Sequence, residues 1–203
     1  ATIAKAFQYG YSLAVDSDTY SVIDTTAQIV NYAAAIEYTN GLKGLRIKVA
    51  ALSGGALVPL STPQLTAFTA YMQVVKDAGV RITITTANAD SLKLNLNIYY
   101  NALVLDGTGA RLDGTAATPI QDAIDNYLEN LPFNSLYINF ELLEALKDVD
   151  GVIIPELISA QSYYTGTPGY VPIATEYTPD AGYIRVITRS TDLTLNFIPH
   201  GLI

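Results

Sequence analysis

At 203 residues, 50% of them hydrophobic and 15% charged, the chain has material for one sizeable core or two small domains. A formal charge of −8, from 11 basic and 19 acidic residues with no run of Lys or Arg, excludes the electrostatic footprint of a nucleic-acid binder. Cysteine is absent, which excludes disulfides, thiol catalysis and cysteine metal sites.

In chain order, the first stretch, "ATIAKAFQYGYSLAVDSDTYSVIDTT", has weak periodicity and reads as an arm. In "AQIVNYAAAIEYT" from Ala27 to Thr39, Ala33 to Ala35 favour a helix and the Val, Ile and Tyr content a strand; the strand is the preferred reading, because the turn "NGLKG" and the run "LRIKVAAL" follow it. In that run Leu45, Ile47 and Val49 alternate with Arg46 and Lys48, the pattern of a half-buried strand, so the pair is expected to be a hairpin. Gly54-Gly55 marks a second turn. "STPQLTAFTAYMQVVKDAG" predicts a helix capped by Thr62, with Pro63 at its first position, Leu65, Phe68, Met72 and Val75 as its apolar stripe, and Gly79 as its left-handed stop. "VRITITT" follows as a strand with Val80, Ile82 and Ile84 on one face. In "SLKLNLNIYY", Leu92, Leu94, Leu96 and Ile98 face one way and Lys93, Asn95 and Asn97 the other, which predicts a sheet with one wet face.

After a Gly/Asp-rich loop, "LDGTGARLDGT", Thr118 and Gln121 stand at capping-box spacing ahead of a helix striped by Ile120, Ile124, Tyr127, Leu128 and Leu131. "PFN" breaks the chain, a short helix carries Leu142, Leu143 and Leu146, and "GVIIPELISAQ" reads as a strand. The tail holds strand candidates in "YVPIATEY", "GYIRVIT" and "TLNFI". "VVKDAGVRITI" and "EALKDVDGVIIPEL" repeat one join: a helix ends, glycine releases the backbone, and a β-branched strand enters the sheet. The expectation is an α+β fold, with helices packed on one face of mixed or antiparallel sheets and a β-rich C-terminal part. The organisation expected is an N-terminal arm and first strand over 1–43, an α+β core over 44–161 and a β-rich segment over 162–203.

No catalytic signature emerges. His200, the only histidine, sits near the end of the chain and reads as an exposed tail residue rather than a positioned base. Asp16 with Asp18, and Asp148 with Asp150, offer paired carboxylates of the kind that hold Mg²⁺ in nucleotidyl transfer, but "SGG" at Ser53 to Gly55 falls in a hairpin turn instead of a phosphate loop. Asp106 and Asp113 lie seven apart without the bidentate Glu of an EF-hand, which leaves an ion in that loop an open question. Catalytic, cofactor-binding and metal residues are therefore expected to be none. No signal peptide and no spanning helix are expected. The 15 tyrosines, clustered at Tyr99-Tyr100 and at Tyr163, Tyr164 and Tyr170, suit partner burial or edge packing, and secondarily stacking on sugar rings. Low charge with a mean hydropathy of +0.25 suits either a large core or apolar surface covered by a neighbour.

From Leu45 to Ile187, roughly two-thirds of the chain, the order of elements resembles the C-terminal half of baseplate J-like proteins, wedge components of phage tails and contractile injection systems. The residues that carry the resemblance are "GALVPLSTPQLTAFTAYMQVVKDAGVRITITTANADSLKLNLNIYY", "LVLDGTGARLDGTAATPIQDAIDNYLENLPFN", "LLEALKDVDGVIIPELISA" and "YTPDAGYIRV". In the "AFQYGYSL" start and the "LVLD…LDGT" loop the resemblance looks particularly close to tail proteins of phages from Bacteroides-like hosts. The departure is N-terminal: longer members carry a helical docking region, little of which is legible before residue 27. The resemblance implies a non-enzymatic virion subunit of the tail baseplate, assembled in the bacterial host cytoplasm. It would have no cofactor, and its partners would be copies of itself and other tail proteins. Two further readings are a carbohydrate- or receptor-binding tail module and a metal-dependent nucleotidyltransferase.

Overall fold

Period-two hydrophobic patterns and glycine-marked joins build the chain in two stages. The computed structural model describes residues 28–40 and 42–201, and packing divides the chain into two units between Ala89 and Asp90. The arm expected at the start of the chain, with Asp16 and Asp18, lies outside the described residues. The boundaries expected at 43/44 and 161/162 fall inside strands Leu42–Ser53 and Val152–Tyr163. The described residues hold four helices and eleven strands in mixed and antiparallel sheets, an α+β fold that is β-rich overall.

In the first unit, β1 (Tyr32–Asn40) and β2 (Leu42–Ser53) form the expected antiparallel hairpin. β3 (Ala56–Val58) returns on β2 through Gly54 and Gly55, both at positive φ. Helix α1 (Thr62–Val75) then crosses over, and β4 (Ile82–Thr85) runs parallel to β2. Phe68 and Met72 of α1 are buried with Val30, Ile47, Val49 and Leu60, while Leu65 and Val75 pack at the margin.

Three expectations are corrected here. The N-cap is Ser61 rather than Thr62: Gln64 Oε1 accepts from the Ser61 backbone N–H (2.9 Å) and hydroxyl (2.8 Å). The helix stops at Val75 because Lys76 is already extended, and Gly79 (φ +85°) serves the next turn, where Val80 N–H donates to Asp77 O (3.2 Å). Lys48, expected on a wet face, is buried. It lies between Ala34 of β1 and Thr85 of β4, since β2 is central and flanked on both edges.

In the second unit β5 (Asp90–Tyr100) is the axis. Antiparallel β7 (Val152–Tyr163) pairs along one edge; β10 (Ile184–Arg185) and β11 (Leu193–Pro199), both parallel, pair along the other. β8 (Val171–Pro172) extends the sheet beyond β7 at Gln161 and Ser162 only. β6 (Tyr137–Ile138) and β9 (Glu176–Tyr177) form a separate two-stranded pair. Leu92, Leu94, Leu96 and Ile98 are buried as the alternation requires. Against them pack Ile120, Ile124 and Leu128 of α2 (Pro119–Asn130) and Leu142 and Leu146 of α3 (Asn139–Lys147).

The capping box expected at the start of α2 is not formed: the Thr118 hydroxyl turns to Asp122 Oδ1 (3.2 Å) instead of leaving the exchange to Gln121. The repeated join holds in both copies. Gly151 (φ +91°) follows α3 as Gly79 follows α1, and Gly151 O accepts from Asn101 N–H (2.8 Å), which ties the start of β7 to the end of β5.

Candidate interaction face

The odd-numbered residues of β5 turn away from the core, and the register fixes their neighbours. Asn95 lies opposite Thr194 of β11 and Ser159 of β7; Asn97 lies opposite Asn196 and Glu156; Tyr99 lies opposite Ile198 and Ile154. Directly paired residues share a face, so these side chains form one half-buried, largely polar surface. A hydrogen-bond ladder crosses it. Asn196 Nδ2 donates to Asn95 Oδ1 (3.2 Å) and Asn97 Oδ1 (3.1 Å), Asn97 Nδ2 donates to Glu156 Oε2 (2.8 Å), and the Tyr99 hydroxyl donates to the same oxygen (3.4 Å).

Aromatic groups stand at both ends. At one, the Tyr163 and Tyr170 rings are 5.7 Å apart between centroids, with Lys93 Nζ 5.4 Å from the Tyr170 centroid. Tyr170 is pinned from beneath: its hydroxyl donates to Asp192 Oδ1 (3.0 Å) and lies 2.9 Å from Ser91 Oγ. Asp192, on the short helix α4 (Arg189–Asp192), is buried and also accepts from Thr188 N–H (3.2 Å). Desolvation, and then the hydrogen bond to Asp192, hold the Tyr170 hydroxyl above the usual tyrosine range. At the other end His200 meets Tyr99 edge-on (6.4 Å).

Beside this face β7 presents an open edge. It pairs with β5 along one side, while on the other its strand partner reaches only Gln161 and Ser162, with Ile173 N–H donating to Ala160 O (2.8 Å). Among the described residues, 153–159 have no strand partner on that side. Ile154 and Ile158 there are 48% and 50% exposed. Two register shifts each leave an extra residue on β7, Ile158 opposite the Asn95–Leu96 step and Ile153 opposite the Tyr99–Tyr100 step, and Pro155 stands within the strand. Bulges and proline are devices by which an edge strand avoids indiscriminate pairing.

Residues singled out in the sequence take other roles. Asp106 closes its own loop, its Oδ1 accepting from the Thr108 N–H (2.8 Å), the Thr108 hydroxyl (2.7 Å) and Ala110 N–H (3.0 Å); these bonds hold its carboxyl below the usual range. Asp113 receives Arg111 through Nε (3.2 Å) and Nη2 (2.9 Å), with the Thr115 hydroxyl at 2.6 Å, and is held lower still. Arg111 Nη1 reaches on to Asp150 Oδ2 (2.7 Å). The charge that faces Asp113 and Asp150 is therefore a guanidinium of this chain. Asp148 is the C-cap of α3, its N–H donating to Glu144 O (3.2 Å).

His200, expected as an exposed tail residue, is half-buried, and its N–H continues the β11 ladder to Tyr100 O (2.8 Å). Tyr99 and Tyr100 part company: Tyr99 joins the outer face, and Tyr100 is buried edge-on to Phe197 (6.2 Å). Ser53 to Gly55 form a hairpin turn, as read. Among the described residues no three acidic or histidine side chains gather as a metal site, and no helix is long and apolar enough to cross a membrane.

Sequence reasoning missed Asp90. Its buried carboxylate accepts from the Tyr177 hydroxyl (2.6 Å), Asp180 N–H (2.6 Å) and Ala181 N–H (3.2 Å), and burial outweighs these donors to raise its pKa above the usual aspartate value. It also missed the small cavity, about 170 Å³, between Asp125 and Glu129 of α2 and Arg185 and Arg189, where Arg189 pairs with Asp125. No protein-family model matches the chain, and no curated protein matches it either.

Proposed function

We propose that this chain is a structural subunit of a phage or phage-like tail baseplate, a wedge component that works through protein–protein interfaces and does no bond-making of its own. The observation that carries the reading is the β7 edge: along 153–159 no described strand pairs with the side of β7 away from β5, and Ile154 and Ile158 there are exposed. Such an edge offers hydrogen bonds to an added strand and apolar pockets or knobs for its side chains. Both isoleucines are already half covered, so burying the remainder of each would contribute about 1 kcal/mol, and the two together would strengthen a strand contact. The order of elements from Leu45 to Ile187, which resembles the baseplate J-like family, supports the same reading. At −8 the chain meets a neighbour of opposite charge, or carries its acidic surface on the outside of the particle.

Electron microscopy of assembled particles carrying an affinity-tagged chain tests this. Gold label at the distal end of the tail, in several copies per particle, is the expected result. Intact particles that lack the chain would contradict it.

A further inference from the structure

We propose that the outer face of β5, between the Tyr163–Tyr170 pair and the Tyr99–His200 pair, binds a neutral oligosaccharide. The ladder there uses only part of its hydrogen-bonding capacity. Asn196 Nδ2 spends both hydrogens on Asn95 and Asn97. Asn97 Nδ2 spends one on Glu156. Asn95 Nδ2, the second hydrogen of Asn97 Nδ2 and Asn196 Oδ1 keep capacity that no described residue takes up. These are uncharged donors and an acceptor side by side, and a sugar hydroxyl both donates and accepts.

The amides are also held in place before any ligand arrives, because each is fixed by its neighbour across three strands, and that lowers the ordering cost of binding. Rings for stacking stand at the ends: Tyr163 and Tyr170 are 38% and 37% exposed, and the Ser91 and Asp192 contacts fix the Tyr170 ring. From Lys93 to Tyr99 the strand rises about 20 Å, the reach of a short oligosaccharide rather than one sugar.

Charge and polarity narrow the ligand class. Lys93 and Glu156 carry opposite charges, and the Asp192 carboxylate beneath Tyr170 is buried and hydrogen-bonded, so the exposed face has no cluster of like charge to draw an ion. Ile154 and Ile198 lie at one end only, so the centre lacks the apolar anchors of a protein interface. The face spans β11, β5 and β7 and shares Ile154, Glu156 and Ser159 with the open edge, but sugar binding there holds or fails on the isolated chain whether or not the chain assembles.

The test is NMR titration of the ¹⁵N-labelled chain with maltotriose, cellotriose and N,N′,N″-triacetylchitotriose, following side-chain amide signals. At least one is expected to give saturable shifts in Asn95, Asn97 and Asn196, at about millimolar affinity. Asn196→Ala, at an exposed position, is expected to weaken that binding about tenfold or more with an unchanged backbone spectrum. Asn95→Ala serves as a second variant with the same expectation. The proposal is overturned if none of the three sugars moves these signals, or if the shifts map elsewhere and survive both substitutions.

Discussion

Asp90 shows what one carboxylate does when burial and hydrogen bonding oppose each other. Desolvation raises its pKa; Tyr177, Asp180 and Ala181 pull it down without fully compensating. An acid whose native pKa lies above its unfolded value contributes stability that is complete below the unfolded value, about 3.9, and is lost as pH rises through the native one. Urea melts of the wild type and Asp90→Asn across that interval are therefore expected to show the wild type losing its relative advantage as pH rises. A constant difference would contradict the assignment.

The Asp106–Asp113 loop carries the opposite sign. Hydrogen bonds, from Thr108 to Asp106 and from Arg111 to Asp113, depress both carboxyls. Their restraint is thus present above the usual aspartate range and lost only as pH falls through the lowered values. Protection of the Ala110 and Thr115 amides against hydrogen exchange, corrected for intrinsic rate, should persist as pH falls below about 4 in the wild type; in Arg111→Ala the Thr115 amide, bonded to Asp113, should lose protection at a higher pH while Ala110, bonded to Asp106, is unchanged. Little of this was legible in the sequence. The partners of Asp90 lie 87 and 90 residues further on, and "DGTGARLDG" displays its acids without showing that Arg111 sits between Asp113 and Asp150.

Secondary structure was far more legible than the way it is joined. The alternation of "SLKLNLNIYY" names the buried and wet faces of β5 correctly, because period two is imposed by the strand itself. The stripes of α1 and α2 hold for the corresponding reason. Caps were less secure, since Ser61, Thr62 and Thr118 all suit an N-cap and the choice turns on one residue of backbone geometry. Strand neighbours were beyond reach: the parallel pairings of β4 with β2 and of β11 with β5 depend on crossovers that no local pattern encodes. Two substitutions probe these elements. Leu96→Ala removes a fully buried side chain from the axis of the sheet and is expected to cost about 2–5 kcal/mol in chemical denaturation. Gly151→Ala places a Cβ at φ +91°, 2.7 Å from Leu105 and 2.8 Å from Val104, and is expected to cost about 1–3 kcal/mol or more. A neutral result for either would mean that the α3-to-β7 join or the β5 core is looser than described.

The molecule joins two units, each with its own core, and the second carries two surfaces of unlike chemistry. The β7 edge is apolar and backbone-rich; the outer face of β5 is an amide and tyrosine surface. Ile154 of the edge lies opposite Tyr99 and so borders the face, whereas Ile158 has no partner on β5; Asn196→Ala is therefore expected to leave assembly intact, and Ile158→Lys to leave sugar binding intact. Ile154→Lys with Ile158→Lys should keep the melting temperature within a few degrees, because both side chains are half exposed, while preventing incorporation into particles. The most direct test of the central claim is residue-resolved hydrogen exchange along Ile153–Ser159, compared between the free chain and the assembled particle. Strong new protection of the outward amides on assembly is predicted. Exchange that stays as fast in the particle as in the free chain would mean that no strand joins this edge, and the account would be wrong.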